Sequence, residues 1–293
     1  MNKNETLPDS YLCTLLTVSM LGSLLSASKL LEGRCLAFAA LAIAGILMLF
    51  LSPLLLKLIS LAGRKQGRLP LSLLWTLTAL SLLHGALISY FTIVHLRATF
   101  LPHTPIWALS ALLFAAPILS LRHSEATLMR LSRLQFPSIL FLLFVTLCYQ
   151  TQWKRLFVIL RSLPWQEAND LPKQSLLLLL VVFLNPAVAT PILFPDFSPH
   201  LFLRVQRQGI FFATFLLSAM LLMPVTTLGV PVFQALPNPL YWAANIVIHG
   251  TPLIRVDVLL NTVILFATLT DLSLCLQTLR FTLNRQRGQK EML

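Results

Sequence analysis

The sequence predicts an all-α, polytopic membrane protein, a bundle of about eight transmembrane helices. Hydrophobic residues make up 57% of the 293 residues and charged residues only 11%, whereas about a quarter of the residues in a soluble domain are charged. The apolar residues form blocks long enough to cross a hydrocarbon core of roughly 30 Å. Apolar residues also follow one another on consecutive positions, for example at 36–56, which excludes the alternating pattern of a β-barrel.

Eight apolar blocks are the predicted spans, bounded by short basic or proline-marked stretches. They are Tyr11–Ser28, Cys35–Leu61, Pro70–Leu96, Pro105–Leu121, Phe136–Gln152, Gln174–Phe194, Gln208–Val232 and Val256–Leu279. Prolines and glycines interrupt the segment 233–254, which predicts a half-helix at the membrane interface. The predicted domains are a cytoplasmic tail at 1–10, a transmembrane domain at 11–281 and a basic cytoplasmic tail at 282–293.

Composition and motifs exclude several functional classes. The net charge of +12 is scattered over loops and forms no stripe with interleaved aromatic residues, so no nucleic-acid partner is expected. No nucleophile elbow, HExxH, phosphate-binding glycine loop or close cysteine pair occurs. The six histidines are dispersed, which favours satisfied polar groups over metal ligands. We therefore expect no enzyme activity, no metal and no cofactor.

The sixth predicted span contains two prolines that indicate a discontinuous helix. Each proline lacks a backbone N–H and frees carbonyl groups within the membrane. Transporters use such broken helices to present backbone groups to a substrate or ion near the bilayer midplane. The candidate ligand-binding residues here are Asn185, Pro186, Ala187 and Thr190. The alternative is a proline kink that neighbouring helices or the Thr190 hydroxyl repair.

The first span offers a possible counterpart to this break, with Gly22 among serines at 19, 23, 26 and 28. Such a sequence permits local unwinding, or alternatively close helix packing through small residues. Transporters built on inverted repeats break the corresponding helices of their two halves, and spans one and six are five apart. Gly22 and Ser23 are therefore further candidate ligand-binding residues.

The last span carries unusual polar residues, because carboxylates inside a membrane usually face a cavity or a partner. Asp257 and Asn261 lie one turn apart near its outer end, share one helical face and are candidate ligand contacts. Alternatively, Asp257 pairs with Arg255 and anchors the helix at the interface. Asp271 lies near or below the middle of the span, and we expect a structural pair with arginines at the cytoplasmic end.

Two stretches of the sequence resemble the GerAB family of spore germination proteins. The first is Leu101-Pro102-His103-Thr104-Pro105-Ile106-Trp107, followed by Arg122-His123-Ser124-Glu125, Arg130 and Phe136-Pro137. It is similar to the family's LPxTPxW entry to a helix, its short cytoplasmic GxE…R stretch and its FP start to the next helix. The second is Pro252-Leu253-Ile254-Arg255-Val256-Asp257, similar to the RxD lead into the family's eighth span. The resemblance covers roughly residues 11–281.

This resemblance implies an amino acid, polyamine and organocation transporter fold, an inverted-repeat permease architecture of ten helices that is here truncated to eight. It also implies the B subunit of a nutrient germinant receptor in the inner spore membrane or bacterial cell membrane. The implied partners are A- and C-type receptor subunits, the lipid bilayer and a small nutrient, an amino acid, held between spans one, three, six and eight. The sequence departs from the family in lacking room for spans nine and ten and in carrying Asn185-Pro186 where members commonly have a glycine-rich, often Glu-containing break.

Two other functions stay open at the level of sequence. The chain is alternatively a cation-coupled amino acid transporter, or a membrane scaffold that kept the fold without ligand binding. Spans one and six contain no acidic residue for ion coupling, which favours sensing over pumping.

Basic residues are divided unevenly between the two sides of the predicted bundle. With a cytoplasmic N-terminus, fourteen of the 22 lysines and arginines fall on the cytoplasmic side and eight on the outer side. Four of those eight lie in the long loop between spans five and six. The positive-inside rule therefore places both termini in the cytoplasm.

We predict that Lys290→Cys, in a background without native cysteines, reacts with an impermeant maleimide only after the membrane is opened. Lys154→Cys, in the long outer loop, is the matched control and should react in intact cells. Reaction of position 290 from the outside alone would contradict the eight-span topology.

Overall fold

The computed structural model describes residues 9–26, 34–64, 70–99, 101–150, 158, 161–194, 198–236, 242–243 and 256–290. Nearly all of these residues are helical and no strand occurs among them, so the all-α prediction is confirmed. The helices are α1 (Asp9–Ser26), α2 (Ala37–Arg64), α3 (Leu71–Thr99), α4 (Ile106–Ser120), α5 (Glu125–Gln150), α6 (Leu171–Leu178), α7 (Asn185–Leu193), α8 (Pro199–Leu228), α9 (Val230–Ala235) and α10 (Val256–Lys290). A 3-10 helix, Trp165–Asp170, precedes α6, and a π-helical segment, Leu179–Leu184, joins α6 to α7.

Five helical stretches are long and apolar enough to cross a membrane. They are Ala37–Ile59, Leu71–Thr99, Ala168–Leu193, His200–Leu228 and Leu260–Arg287. The helices α1 and α4 are apolar but contribute shorter stretches, Asp9–Leu25 and Ile106–Ser120. These lengths are those of a membrane protein. The number of about eight spans stays a prediction.

The central element of the bundle is α1. Every residue from Leu12 to Leu25 except Cys13 and Thr14 is buried, because α1 packs against α10, α8, α5 and α3. A helix that is buried all round needs apolar or small residues on every face, as the sequence of α1 provides. The second principal element is α10, which contacts α1, α3, α4, α5 and α7.

One end of the bundle carries most of the arginines that the structure describes. The Arg133 guanidinium lies 4.3 Å from the centroid of the Tyr11 ring at the start of α1. Arg280 in the last turns of α10 donates to the carbonyl of His123, in the turn between α4 and α5, at 2.5 Å. We call this the basic end of the bundle, and it corresponds to the predicted cytoplasmic side.

Three predicted span boundaries differ from the helices observed. The fifth helix begins at Glu125, well before the predicted start at Phe136, because Pro137 removes a single N–H donor and the helix continues through it. The helix α8 begins at Pro199 with the Ser198 hydroxyl as its N-cap. It ends at Leu228, and its C-cap is Gly229, whose φ of 79° favours glycine. The last helix runs on to Lys290, about 52 Å from its start. Most of 233–254 lies outside the described residues.

The predicted break in the sixth span takes a different form. The chain stays helical from Leu171 to Leu193, and the irregularity is the π-helical segment Leu179–Leu184 just before Asn185-Pro186. An unwound break at the prolines is therefore wrong. A wide turn next to a proline is a common way to absorb the missing backbone hydrogen bond, because the turn shifts the register of the remaining bonds.

The first span is likewise unbroken, since α1 is continuous through Gly22. Gly22 packs against the backbone of α10, and a Cβ atom there would overlap the carbonyl group of Ala267 and the amide of Thr268. Close helix packing is therefore the role of Gly22, and local unwinding is wrong. The close approach brings the short side chains of α1 within reach of α10.

We predict that Gly22→Ala lowers the free energy of unfolding by about 1–3 kcal/mol, because the added methyl group must push the two backbones apart. Gly85→Ala is the matched control, since its Cβ would lie 3.4 Å from the Cβ and Sγ of Cys275, an ordinary contact. The measurement is denaturation of the purified protein in bicelles. Equal stability of the two variants would contradict the close packing of α1 on α10.

Candidate functional site

A buried carboxylate lies where four helices of the bundle meet. Asp271 of α10 has no exposed surface. Its Oδ1 accepts from the Ser19 hydroxyl at 2.5 Å and from the Asn185 amide at 3.4 Å. Its Oδ2 accepts from the Ser23 hydroxyl at 2.7 Å and lies 2.9 Å from His84 Nε2. We call Ser19, Ser23, His84, Asn185, Asp271 and Cys275 the Asp271 centre.

The donors around Asp271 match the hydrogen-bonding capacity of a carboxylate. Each carboxylate oxygen has room for about two donors, and each oxygen of Asp271 has two neighbours in the centre. A buried carboxylate is costly unless it is paired and hydrogen-bonded. The His84 ring provides the only nearby group in the centre that can carry a positive charge. The centre is therefore arranged to hold an ionised carboxylate beside an imidazole.

Each member of the centre is positioned by its own helix. Ser19 and Ser23 are four residues apart on α1, so both hydroxyls face α10. Cys275 stands one turn after Asp271, and its sulfur lies 3.4 Å from the Asn185 amide nitrogen. Asn185 is the first residue after the π-helical segment. The π turn thus sets which face of the sixth segment points at α10.

The Ala187 carbonyl, which Pro191 leaves without its helical donor, has a partner within the protein. The Thr190 hydroxyl donates to the Pro186 carbonyl at 2.7 Å. Pro191 lacks the N–H that would bond to the Ala187 carbonyl, and the Gln206 amide of α8 contacts that oxygen at 3.4 Å. At Pro191 the freed carbonyl is thus satisfied by a neighbouring helix, as in the alternative that the sequence left open. Pro186, Ala187 and Thr190 are buried and belong to the packing around the centre.

The interface between α3 and α10 carries two further polar pairs. His95 Nε2 lies 2.7 Å from Asn261 Oδ1, toward the end of the bundle opposite the basic end. The hydroxyls of Thr78 and Thr282 lie 2.7 Å apart, toward the basic end. Six of the eleven buried residues of α3 are polar: Thr78, Ser81, His84, Ser89, Thr92 and His95. We call this interface the α3–α10 seam.

A cavity of about 210 Å³ opens beside the His95–Asn261 pair. Its walls are leucines of α3, of α4 and of the connection between them, together with Val258, Asn261, Thr262 and Leu265 of α10. The Thr262 hydroxyl donates to the Val258 carbonyl of its own helix at 2.8 Å. Asn261 therefore faces both the seam and the cavity. The predicted contact Asn261 thus lies in a polar pair separate from the Asp271 centre.

The structure brings together part of the predicted site. Ser23 and Asn185 meet at Asp271, whereas Gly22 is a packing residue. The side chain of Asp257 lies outside the described residues, as does Arg255. The expected pairing of Asp271 with arginines is wrong, because Asp271 pairs with His84 of α3 while Arg280 bonds to a turn carbonyl.

Sequence reasoning missed Ser19, His84 and Cys275 as members of a site. The signal for Ser19 was its four-residue spacing from Ser23, and the signal for His84 was a lone titratable group in an apolar block. Nothing in one sequence indicates that His84 meets Asp271, which is 187 residues away.

Comparison of the chain with models of known protein families, with curated proteins and with solved structures gives no match. In the part of the chain that the structure describes, no three His, Cys, Asp or Glu side chains are grouped to hold a metal ion. The function therefore has to be argued from the Asp271 centre and the seam around it.

We predict that Asp271→Leu and His84→Leu each lower the free energy of unfolding by about 3 kcal/mol, since each leaves a buried polar group without its partner. The double variant should cost less than the sum of the two, with a coupling energy of about 1–3 kcal/mol. The measurement is a double-mutant cycle by denaturation in bicelles. Thr76→Val, an exposed change on α3, is the control, and additive effects of the two leucines would contradict a direct pair.

Proposed function

We propose that this chain is the membrane-embedded B subunit of a spore germinant receptor, and that it binds an amino acid at the Asp271 centre. The observation that carries the proposal is the convergence of polar side chains from the first, third, sixth and last helical segments on one buried carboxylate. The sequence resemblance implies a nutrient between spans one, three, six and eight. An intramembrane carboxylate marks a functional site by default.

The chemistry of the centre favours a zwitterion as the ligand. In the closed arrangement Asp271 receives hydrogen bonds from Ser19, Ser23 and Asn185. An entering ammonium group takes the place of these donors on Asp271. The displaced hydroxyl and amide donors are then available to the carboxylate of the same ligand. An amino acid thus enters without adding net charge and without leaving a polar group unpaired.

A second candidate function, cation-coupled amino acid transport, is favoured by the position of Asp271. The sequence argument against coupling was that spans one and six contain no acidic residue. Asp271 belongs to the last helix, but its carboxylate contacts side chains of α1 and α7. The carboxylate is thereby available to the two helices that would gate such a site.

The test uses full-length protein in proteoliposomes and a panel of radiolabelled amino acids. Binding to the protein without accumulation inside the vesicles supports the receptor. Accumulation that depends on a proton or sodium gradient supports the transporter instead. Absence of both binding and uptake would contradict both functions and leave the scaffold.

We predict that Asn185→Leu abolishes binding of the amino acid while the protein stays folded. The change removes the amide that bridges Asp271 and Cys275 but leaves both serine donors on the carboxylate. The measurement is the dissociation constant in proteoliposomes, and the nutrient response where A- and C-type subunits are present in spores. Ser110→Ala, which removes a hydroxyl that donates to the Ile106 carbonyl of its own helix α4, is the matched control. Unchanged binding of the amino acid by Asn185→Leu would contradict a binding site at the Asp271 centre.

A further inference from the structure

The two histidines of the α3–α10 seam lie at different levels along the bundle. The His84–Asp271 pair lies in the middle and the His95–Asn261 pair lies eleven residues further along α3, a rise of about 16 Å. Between them, Ile88 and Phe91 of α3 and Val181 of the π-helical segment form a buried apolar cluster. We call these three residues the apolar plug. Ser89 and Thr92 are also buried in this stretch of α3, and their hydroxyls donate to the Gly85 and Ile88 carbonyls of their own helix. The apolar plug itself contains no group that can carry a proton.

Toward the basic end, the seam holds a buried hydroxyl with spare hydrogen-bonding capacity. Ser81 stands one turn before His84 on α3 and is buried, and Thr78 stands one turn before Ser81 and pairs with Thr282. The Ser81 hydroxyl has no hydrogen-bond partner of ordinary geometry among the described residues, although it interacts with the Cys275 thiol. A buried hydroxyl with spare capacity is a place for a bridging water. Hydroxyl groups therefore lead from the centre toward the basic end.

We propose that the His84–Asp271 pair is a proton-binding site that is supplied from the basic end, and that the apolar plug closes the route toward the other end. The proton is a ligand of the centre in its own right. Its test needs no amino acid, so this proposal and the proposed function can fail separately.

The charge balance of the centre explains why it holds a proton. The titratable side chains of described elements that face Asp271 are His84 of α3 and Cys275 of α10, while α1 and α7 contribute hydroxyls and an amide. With the ring hydrogen on Nε2, neutral His84 and ionised Asp271 carry a net charge of minus one in an apolar bundle. A hydronium ion from the basic end gives its proton to Nδ1 of His84, forms an N–H bond and leaves as water. The pair is then neutral overall, which burial favours.

The first experiment opens the plug in full-length protein in liposomes and follows proton influx with an internal pH-sensitive dye. A potassium gradient with valinomycin drives the influx. We expect Ile88→Ser to raise the influx several-fold over wild type, because it replaces an apolar plug residue by a hydroxyl beside His84. Leu87→Ser, one residue away on the exposed face of α3, is the matched control and should not. Val181→Ser opens the same plug from the sixth segment and serves if Ile88→Ser fails to fold.

The decisive variants combine the opened apolar plug with loss of the His84–Asp271 pair. Adding Asp271→Asn or His84→Gln to Ile88→Ser should return the influx to the wild-type level, whereas adding His103→Gln, at an exposed turn, should leave it raised. Influx that persists in both double variants would show that water alone carries the proton and would overturn the proposal. Folded plug variants without raised influx would overturn it as well.

A second measurement observes the proton directly in the wild-type protein. Nitrogen-15 spectra of histidine-labelled protein in nanodiscs identify the His84 ring as the signal lost in His84→Gln. We expect this ring signal to respond to pH in the wild-type protein and to respond differently in Asp271→Asn, because the carboxylate is the partner of the ring. A His84 ring that keeps one state throughout, or that ignores Asp271→Asn, would overturn the proposal.

Discussion

A buried carboxylate at the crossing of four helices must be surrounded by hydrogen-bond donors, and this requirement governs how the bundle packs. Serine hydroxyls are short, so Ser19 and Ser23 reach Asp271 only where the backbones of α1 and α10 approach closely. Gly22 stands between them and permits that approach against Ala267. The glycine and the two serines therefore act together. The same close contact helps to keep α1 buried from Leu15 to Leu25.

The prolines of the sixth segment act through the same carboxylate. The sequence suggested that their freed carbonyls would bind a ligand, but the Gln206 amide already contacts the carbonyl that Pro191 frees, that of Ala187. The polar group that the segment offers is the Asn185 side chain, which the preceding π turn directs toward Asp271. A widened turn keeps the backbone bonded and still places a polar side chain in the bundle interior. The chemistry of this site therefore lies in side chains.

The sequence predicted what depends on local properties and missed what depends on pairing. Apolar length and flanking charge located the helices, because both are properties of a continuous stretch. The predicted start of α5 was wrong because the prediction placed it next to Pro137, although the residues before that proline also form helix. Ser23 and Asn185 were found as polar residues in apolar blocks. Asp271 was predicted to pair with arginines close to it in the sequence. Its actual partner, His84, comes from a helix that is distant in sequence and that only the folded bundle brings near.

The seam between α3 and α10 also defines what opening the centre must involve. The cavity at Asn261 and the carboxylate of Asp271 are ten residues apart on α10, about 15 Å, and the apolar plug lies between the corresponding levels of α3. A solute from the cavity reaches Asp271 only if α3 and the π-helical segment move apart at the apolar plug. The same movement pulls hydrogen-bond donors away from the carboxylate. A ligand shifts such an equilibrium only by binding the open state more tightly. A ligand binds the open state more tightly if it replaces the hydrogen-bond donors and the positive charge that Asp271 loses on opening. An ammonium group does so, and an apolar solute does not.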